Sequence, residues 1–302
     1  MRLSRRQWVA AAVATPTAVL AAGWALRRRS HREQPLVHEE IVGDLRVIVS
    51  NGLPAHATGD FPNAHDPVGI RAQHHKFEMP LRPQLAAATR PLNFWKFGVA
   101  VNGVPFDPSG PFWNGDTSSG WQFEVLCPAN AVALGIDVNR AHTQGRGMYH
   151  YHGLPTGVFW ELRRRAPDRP MHLLGYAADG FPIYGPDGPA DATDLRSSTR
   201  RLRSSYRLRW GRRDSGPRGQ YDGTFVEDFE YVAGLGDLDQ CNGRLGPTPE
   251  FPEGTYHYVL TDEFPFIPRL YRGVPHPSFR HGPRPGVSPP LPPELRHYHG
   301  MG

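Results

Sequence analysis

Cysteine is scarce: the 302-residue chain carries only Cys127 and Cys241, and neither stands in a CxxC pair. A zinc-finger cysteine set is therefore excluded, and neither thiol sits in a recognisable nucleophile setting. The sequence has no Walker loop to cradle a nucleotide phosphate and no GxSxG elbow to present a catalytic serine. Positive charge is not spread evenly either. The net charge is +5, but the excess arginine is concentrated in the N-terminal leader, the block Arg196–Arg218 and the C-terminal tail. That distribution argues against a general nucleic-acid surface and favours a solvated loop or edge hairpin for the internal block.

What the chain has in quantity is turn residues, with 33 glycines and 32 prolines. Together with short alternating apolar runs they predict a mostly β protein, a sandwich-like single domain with long Gly/Pro-rich loops. Strands are expected at Asp44–Ser50, Lys96–Val101, Trp121–Leu126, Met148–His152, Met171–Ala177 and Thr255–Tyr258. A further strand is favoured over a short helix at Ala131–Asp137. Asn102–Gly103 carries a hairpin signal.

The first thirty residues read as a leader. Arg5–Arg6 precede an apolar run from Trp8 to Leu26, and Arg27–Arg29 follow it. The arrangement resembles a twin-arginine export signal. The run is also about long enough to span a bilayer, so residues 8–26 equally suit a membrane anchor. The protein is accordingly expected to be periplasmic, secreted or held on the outer face of the cytoplasmic membrane. Export permits a disulfide, and two cysteines allow one, Cys127–Cys241, with two buried thiols as the other outcome.

The chemistry is concentrated at Met148-Tyr-His-Tyr-His-Gly153. Side chains alternate along a strand, so His150 and His152 share one face and Tyr149 and Tyr151 the other. Residues two apart on one face are roughly 6–7 Å apart at Cα, close enough for two imidazoles to hold one ion. A glycine turn between His142 and Met148 would fold His142 back across from His150 or His152 as a third imidazole. His257 and His56 are the distant candidates for a further ligand. Asp179, at the start of a turn, is the acid expected to serve as base if an ion here activates water. An imidazole set in an exported protein suits copper or zinc.

Other stretches carry weaker signals. Asp222, Glu227, Asp228, Glu230, Asp237 and Asp239 stand beside glycine turns at a density that could hold calcium, but not at EF-hand spacing. Trp95, Trp113, Trp121, Trp160 and Tyr184 would form an aromatic platform for a glycan or peptide if they shared a surface. In that case the chain is a non-catalytic binding module and its motif histidines are structural. The tail from residue 276 to 302, with His276, His281, His297 and His299, reads as disordered, its histidines at most helping to gather metal. Thr255-Tyr-His-Tyr258 echoes the main motif, either as a short repeat or as a second strand meeting the same packing demand.

These blocks resemble the YHYH-domain family, named for the tetrapeptide at 149–152. The resemblance extends over Asn51–Pro54, Val101–Asp107, Ala141–His142, Asp179–Gly185, Tyr221–Gly223, Gly236–Gly243 and Thr255–Tyr258. It implies one domain over about residues 43–275. Gln240 stands where the family pattern commonly has an acid, which weakens an oxygen-ligand reading there. The resemblance implies an exported protein and no particular reaction.

Overall fold

The hairpin Val37–Val42 and Leu45–Ser50 turns at Gly43–Asp44 and is joined by His75–Pro80 into a three-stranded antiparallel sheet. A computed structural model describes residues 33–93 and 95–281 of the chain. The leader, the apolar run at 8–26 and most of the proposed tail therefore lie outside the described residues. Among the described residues no helix is long and apolar enough to cross a membrane.

The second, larger sheet has eight strands. In spatial order they are Gly243–Thr248, Phe251–Val259, Pro182–Tyr184, Leu173–Ala177, Gly98–Ala100, Pro105–Phe106, Met148–Tyr151 and Ala141–Gln144. Most neighbours are antiparallel. Pro182–Tyr184 runs parallel to Phe251–Val259, and Pro105–Phe106 parallel to Met148–Tyr151. The two sheets share one apolar core: Ile48, Phe77 and Met79 of the small sheet pack in the same cluster as Phe97, Val99, Tyr176 and Tyr258. Among the described residues the fold is thus mostly β, with several sheets and no barrel.

Tyr149, Tyr151, Tyr256 and Tyr258 all point into this core. The two Tyr-x-Tyr pairs meet edge to face, with centroids 5.8 Å and 5.2 Å apart. Both strands thus answer the same packing demand, and their histidines fall on the opposite face.

Two expected strands need correction. Trp121–Leu126 is not a strand: it makes only isolated bridges, through Gln122 and Phe123. Trp121, Phe123 and Val125 are buried, but so is Glu124 between them, so the segment has no solvent-facing side. Residues 131–137 do not form a strand either. Pro128 starts a short helix, α1 (Pro128–Ala133), where its missing N–H costs nothing. The buried Asn130 amide anchors α1 to Glu124 O and Thr224 O. A second helix, α2 (Thr156–Arg165), follows the motif strand and was not anticipated.

Strand pairing begins at Val37, in a strand whose side chains are all exposed, and packing continues past residue 275. Phe279 is buried and stacks on Phe77 at 4.9 Å, and Ser278 bonds both backbone groups of Glu78. Residues 276–281 are therefore held by an aromatic anchor and a strand edge rather than being a loose tail.

The cysteines are not bridged. Cys127 precedes α1 near Thr224, whereas Cys241 is buried beside Tyr256 and Asp239. They belong to different parts of the fold. Burial, followed by Asp239, pushes the Cys241 thiol up to about 12, so it is an inert packing residue.

Candidate metal centre

The hairpin at the edge of the large sheet builds the site. Ala141–Gln144 pairs antiparallel with Met148–Tyr151, and the register sets His142 directly opposite His150. The turn requires glycine at position 147: its φ is +92°, and a Cβ there would lie 2.5 Å from Gly69 O. His152 follows two residues after His150 on the same face. The three imidazole centroids form a near-equilateral triangle with sides of 4.6, 4.8 and 5.0 Å. One ligand atom from each lies within 4.8 Å of the other two.

Two of the rings are oriented from behind. His142 Nδ1 lies 2.9 Å from Leu134 O, at the C-cap of α1, and His150 Nδ1 lies 3.2 Å from Met148 O. A ring N–H donating to each carbonyl leaves Nε2 as a lone pair, the outer arrangement typical of ligating histidine. His152 Nε2 sits 2.9 Å from His150 Nε2. With metal–nitrogen bonds of about 2.0–2.1 Å, two ligands at 90–110° stand about 2.9–3.4 Å apart, so the pair is spaced for one ion. His152 Nδ1 is buried with no partner.

Electrostatics keep these rings neutral. His150 and His152 are each 1 % exposed. Burial, then the neighbouring His142, lowers His150 to about 3. Burial, then His150 and His142, puts His152 well below the usual 6.5. Burial also lowers His142, against the pull of the Leu134 carbonyl and of Asp66, Asp107 and Asp137. Neutral imidazoles are the ligating form.

A pH dependence follows. Burial lowers His75 and His257 to about 4 as well. In the unfolded chain these five imidazoles take up protons near pH 6.5, whereas in the folded chain all five are held below that, His150 at about 3 and His75 and His257 at about 4. Their stability contribution is full above pH 6.5 and is lost as pH falls. Asp179 and Glu227, raised by burial to about 6 and 7, and Glu124, also raised, act in the opposite direction. Five lowered imidazoles outweigh three raised carboxyls, so the apo-protein's melting temperature is expected to drop between pH 7 and pH 5. A flat or rising profile would contradict the neutral-imidazole picture.

The remaining predicted site residues are not brought to the triad. His56 lies on the tyrosine face, its Nε2 accepting from the Tyr151 hydroxyl at 2.6 Å while Asn102 donates to the same oxygen at 2.9 Å. His257 sits on Phe251–Val259, five strands from Met148–Tyr151, or roughly 24 Å at about 4.8 Å per strand. Asp179 is not among the carboxylates acting on the triad. It accepts hydrogen bonds from Tyr258 Oη at 2.5 Å and Gly273 N at 2.8 Å. The period-two rule excludes His56, and sheet order excludes His257.

The acidic stretch is occupied by protein donors. Asp222 and Asp228 hold Arg213, Glu230 holds Arg207, and Asp237 holds Arg200. Asp239 accepts from Cys241 N, Gly243 N and Tyr256 Oη. The arginine block thus serves as counter-charge to these acids. Of the residues proposed for an aromatic platform, Trp121 and Tyr184 are buried and Trp160 is exposed.

The residue that sequence reasoning missed is Asp107. Burial alone would raise its carboxyl, but His281 beside it holds it well below the usual carboxylate range. Its only sequence signal was its place at the end of the Val101–Asp107 block.

The family model described as YHYH protein matches residues 76–273, well over half of the chain, and the chain belongs to that family. No curated protein and no solved structure matches it.

Proposed function

We propose that this YHYH-family chain is an exported protein that binds one copper or zinc ion through His142, His150 and His152. One observation carries the reading: three imidazoles held neutral, two of them buried and the third part-buried, converge within 4.8 Å, and two have Nδ1 turned to a backbone carbonyl. Zinc and copper(II) both accept such an imidazole set. Export rests on the twin-arginine-like leader.

The test is metal analysis of protein exported in its native host, comparing wild type with His150→Ala/His152→Ala. About one equivalent is expected in wild type and none in the variant, since removing two of three ligands leaves no chelate. Because both side chains are buried, the partly exposed His142→Gln is measured alongside, with circular dichroism to check folding. Wild-type protein without metal, or an unchanged content in the folded variants, would overturn the reading.

A second reading is a non-catalytic module that binds a glycan or peptide. It is supported by Trp160, half exposed beside Arg163, and by Trp210, 99 % exposed. Glycan or peptide binding that survives metal removal and is lost in Trp210→Ala would favour it.

A further inference from the structure

His257 stands apart from the triad and faces a different neighbour. Tyr256 and Tyr258 take the core face of Phe251–Val259, so His257 points to the other face. Its register partner on Gly243–Thr248 is Arg244. Residues paired in register project from the same face, with Cβ atoms about 4.5–5.5 Å apart. His257 is 1 % exposed, and its Nδ1 lies 3.3 Å from Thr255 O. A ring N–H donating to that carbonyl leaves Nε2 as a lone pair, which is buried and has no donor.

Arg244 brings the complementary group. Its Nη2 donates to Pro189 O at 3.0 Å, in a fit that Gly188 permits, since a Cβ there would lie 3.1 Å from that nitrogen. Its Nε is buried and has no acceptor. Among the described residues no carboxylate lies within ion-pair distance of this guanidinium; Asp237 and Asp191 act on it from further off, against Arg200. The buried guanidinium groups of Arg213 and Arg269, by contrast, each hold a carboxylate directly. The Tyr184 ring stands 5.6 Å from that of His257, but its hydroxyl is engaged with Thr248 and Glu250 and supplies neither missing partner.

Burial, then Arg244, lowers His257 to about 4, and burial lowers Arg244 as well. A cation short of counter-charge, a donor and an acceptor therefore stand side by side. A water molecule would meet both hydrogen bonds but not the charge. A fully deprotonated anion would meet the charge but set its lone pairs against that of Nε2. An oxyanion that still carries a proton meets all three demands.

We propose that Arg244 and His257 bind free hydrogen phosphate, Arg244 Nε–H donating to one oxygen and the phosphate hydroxyl donating to His257 Nε2. The site lies five strands from Met148–Tyr151 in the same sheet and does not depend on the metal reading.

The test is calorimetric titration of the full chain with inorganic phosphate and with sulfate, near pH 7 at fixed ionic strength. Repeating it after chelation separates this site from phosphate held on an ion at the triad. One saturable phosphate site is expected that survives chelation. Sulfate, with no proton to offer Nε2, is expected to bind at least about 10-fold more weakly. Arg244→Gln should weaken phosphate binding about 10–100-fold, the loss of a hydrogen bond to a charged group. His257→Gln, whose amide can donate as well as accept, should bring the two affinities within about 3-fold of each other. Should either variant fail to fold, the wild-type preference for phosphate over sulfate decides alone. Equal affinities would overturn the donor–acceptor assignment, and unchanged binding in folded Arg244→Gln, or loss on chelation, would place the phosphate elsewhere. No saturable binding of either anion would overturn the proposal and leave a buried water on the two nitrogens. Glycerol phosphate bound as tightly as phosphate would overturn the assignment to the free ion.

Discussion

Replacing Arg213 with alanine is expected to cost about 3–5 kcal/mol of stability, the range for removing one partner of a buried ion pair. The Arg213 side chain is 1 % exposed and that of Asp228 fully buried. The pair is bidentate, Nε to Oδ1 at 2.7 Å and Nη2 to Oδ2 at 2.6 Å. Nη2 also reaches Asp222 at 2.6 Å, and the guanidinium lies 5.0 Å from the Phe225 ring centroid. Asp228 further accepts from Gly223 N and Phe225 N. Without the arginine, a carboxylate that organises the Gly223–Asp228 loop would be left buried and unpaired. Urea unfolding measures the cost, and the melting temperature should fall by roughly 6–20 °C. Lysine should not rescue, because it cannot span both oxygens of Asp228 in a planar fork. A loss below about 1 kcal/mol would place the pair with solvent-screened surface bridges instead.

Asp179→Ala is expected to cost about 2–4 kcal/mol while leaving metal content per folded chain unchanged. Its carboxylate is the end of a buried relay: Arg272 N donates to Tyr258 Oη, which donates to Asp179, and Gly273 N donates to the same carboxylate oxygen. The relay ties the turn after Leu173–Ala177 to Phe251–Val259 and to the 270–273 segment. Alanine would leave the Tyr258 hydroxyl and the Gly273 N–H without an acceptor. Burial raises the Asp179 carboxyl from 3.8 to about 6, against its hydrogen bonds. Being raised, it favours the folded state more when protonated, so its contribution declines as pH rises from about 4 to 6. Asp179→Asn should cost less than alanine and abolish that pH dependence. Loss of metal from a folded Asp179→Ala protein would instead return Asp179 to the site.

The two predictions separate what local sequence could disclose from what it could not. His150 and His152 share a face because strand side chains alternate, and His142 joins them because a short glycine turn returns the chain at fixed register. Both are relations among neighbours, so the triad was legible. Asp179 was legible as an acid at a turn, but its role depends on Tyr258 and Gly273, which arrive from far along the chain.

The leader's twin arginines and apolar run, the alternating tyrosines and the histidine triad follow from residue types and spacings within a dozen positions. The assignment of Trp121–Leu126 and Ala131–Asp137 does not. Trp121, Phe123 and Val125 are buried without strand partners, and the C-cap of a proline-initiated helix supplies the carbonyl that orients His142. Asp107 stands beside the triad only because Pro105–Phe106 is laid parallel to Met148–Tyr151, a pairing set by burial of both strands in one core. His281 reaches it only because Phe279 is anchored against Phe77. Spacing along the chain therefore determined which imidazoles can share an ion, and long-range packing alone decided which carboxylate faces them.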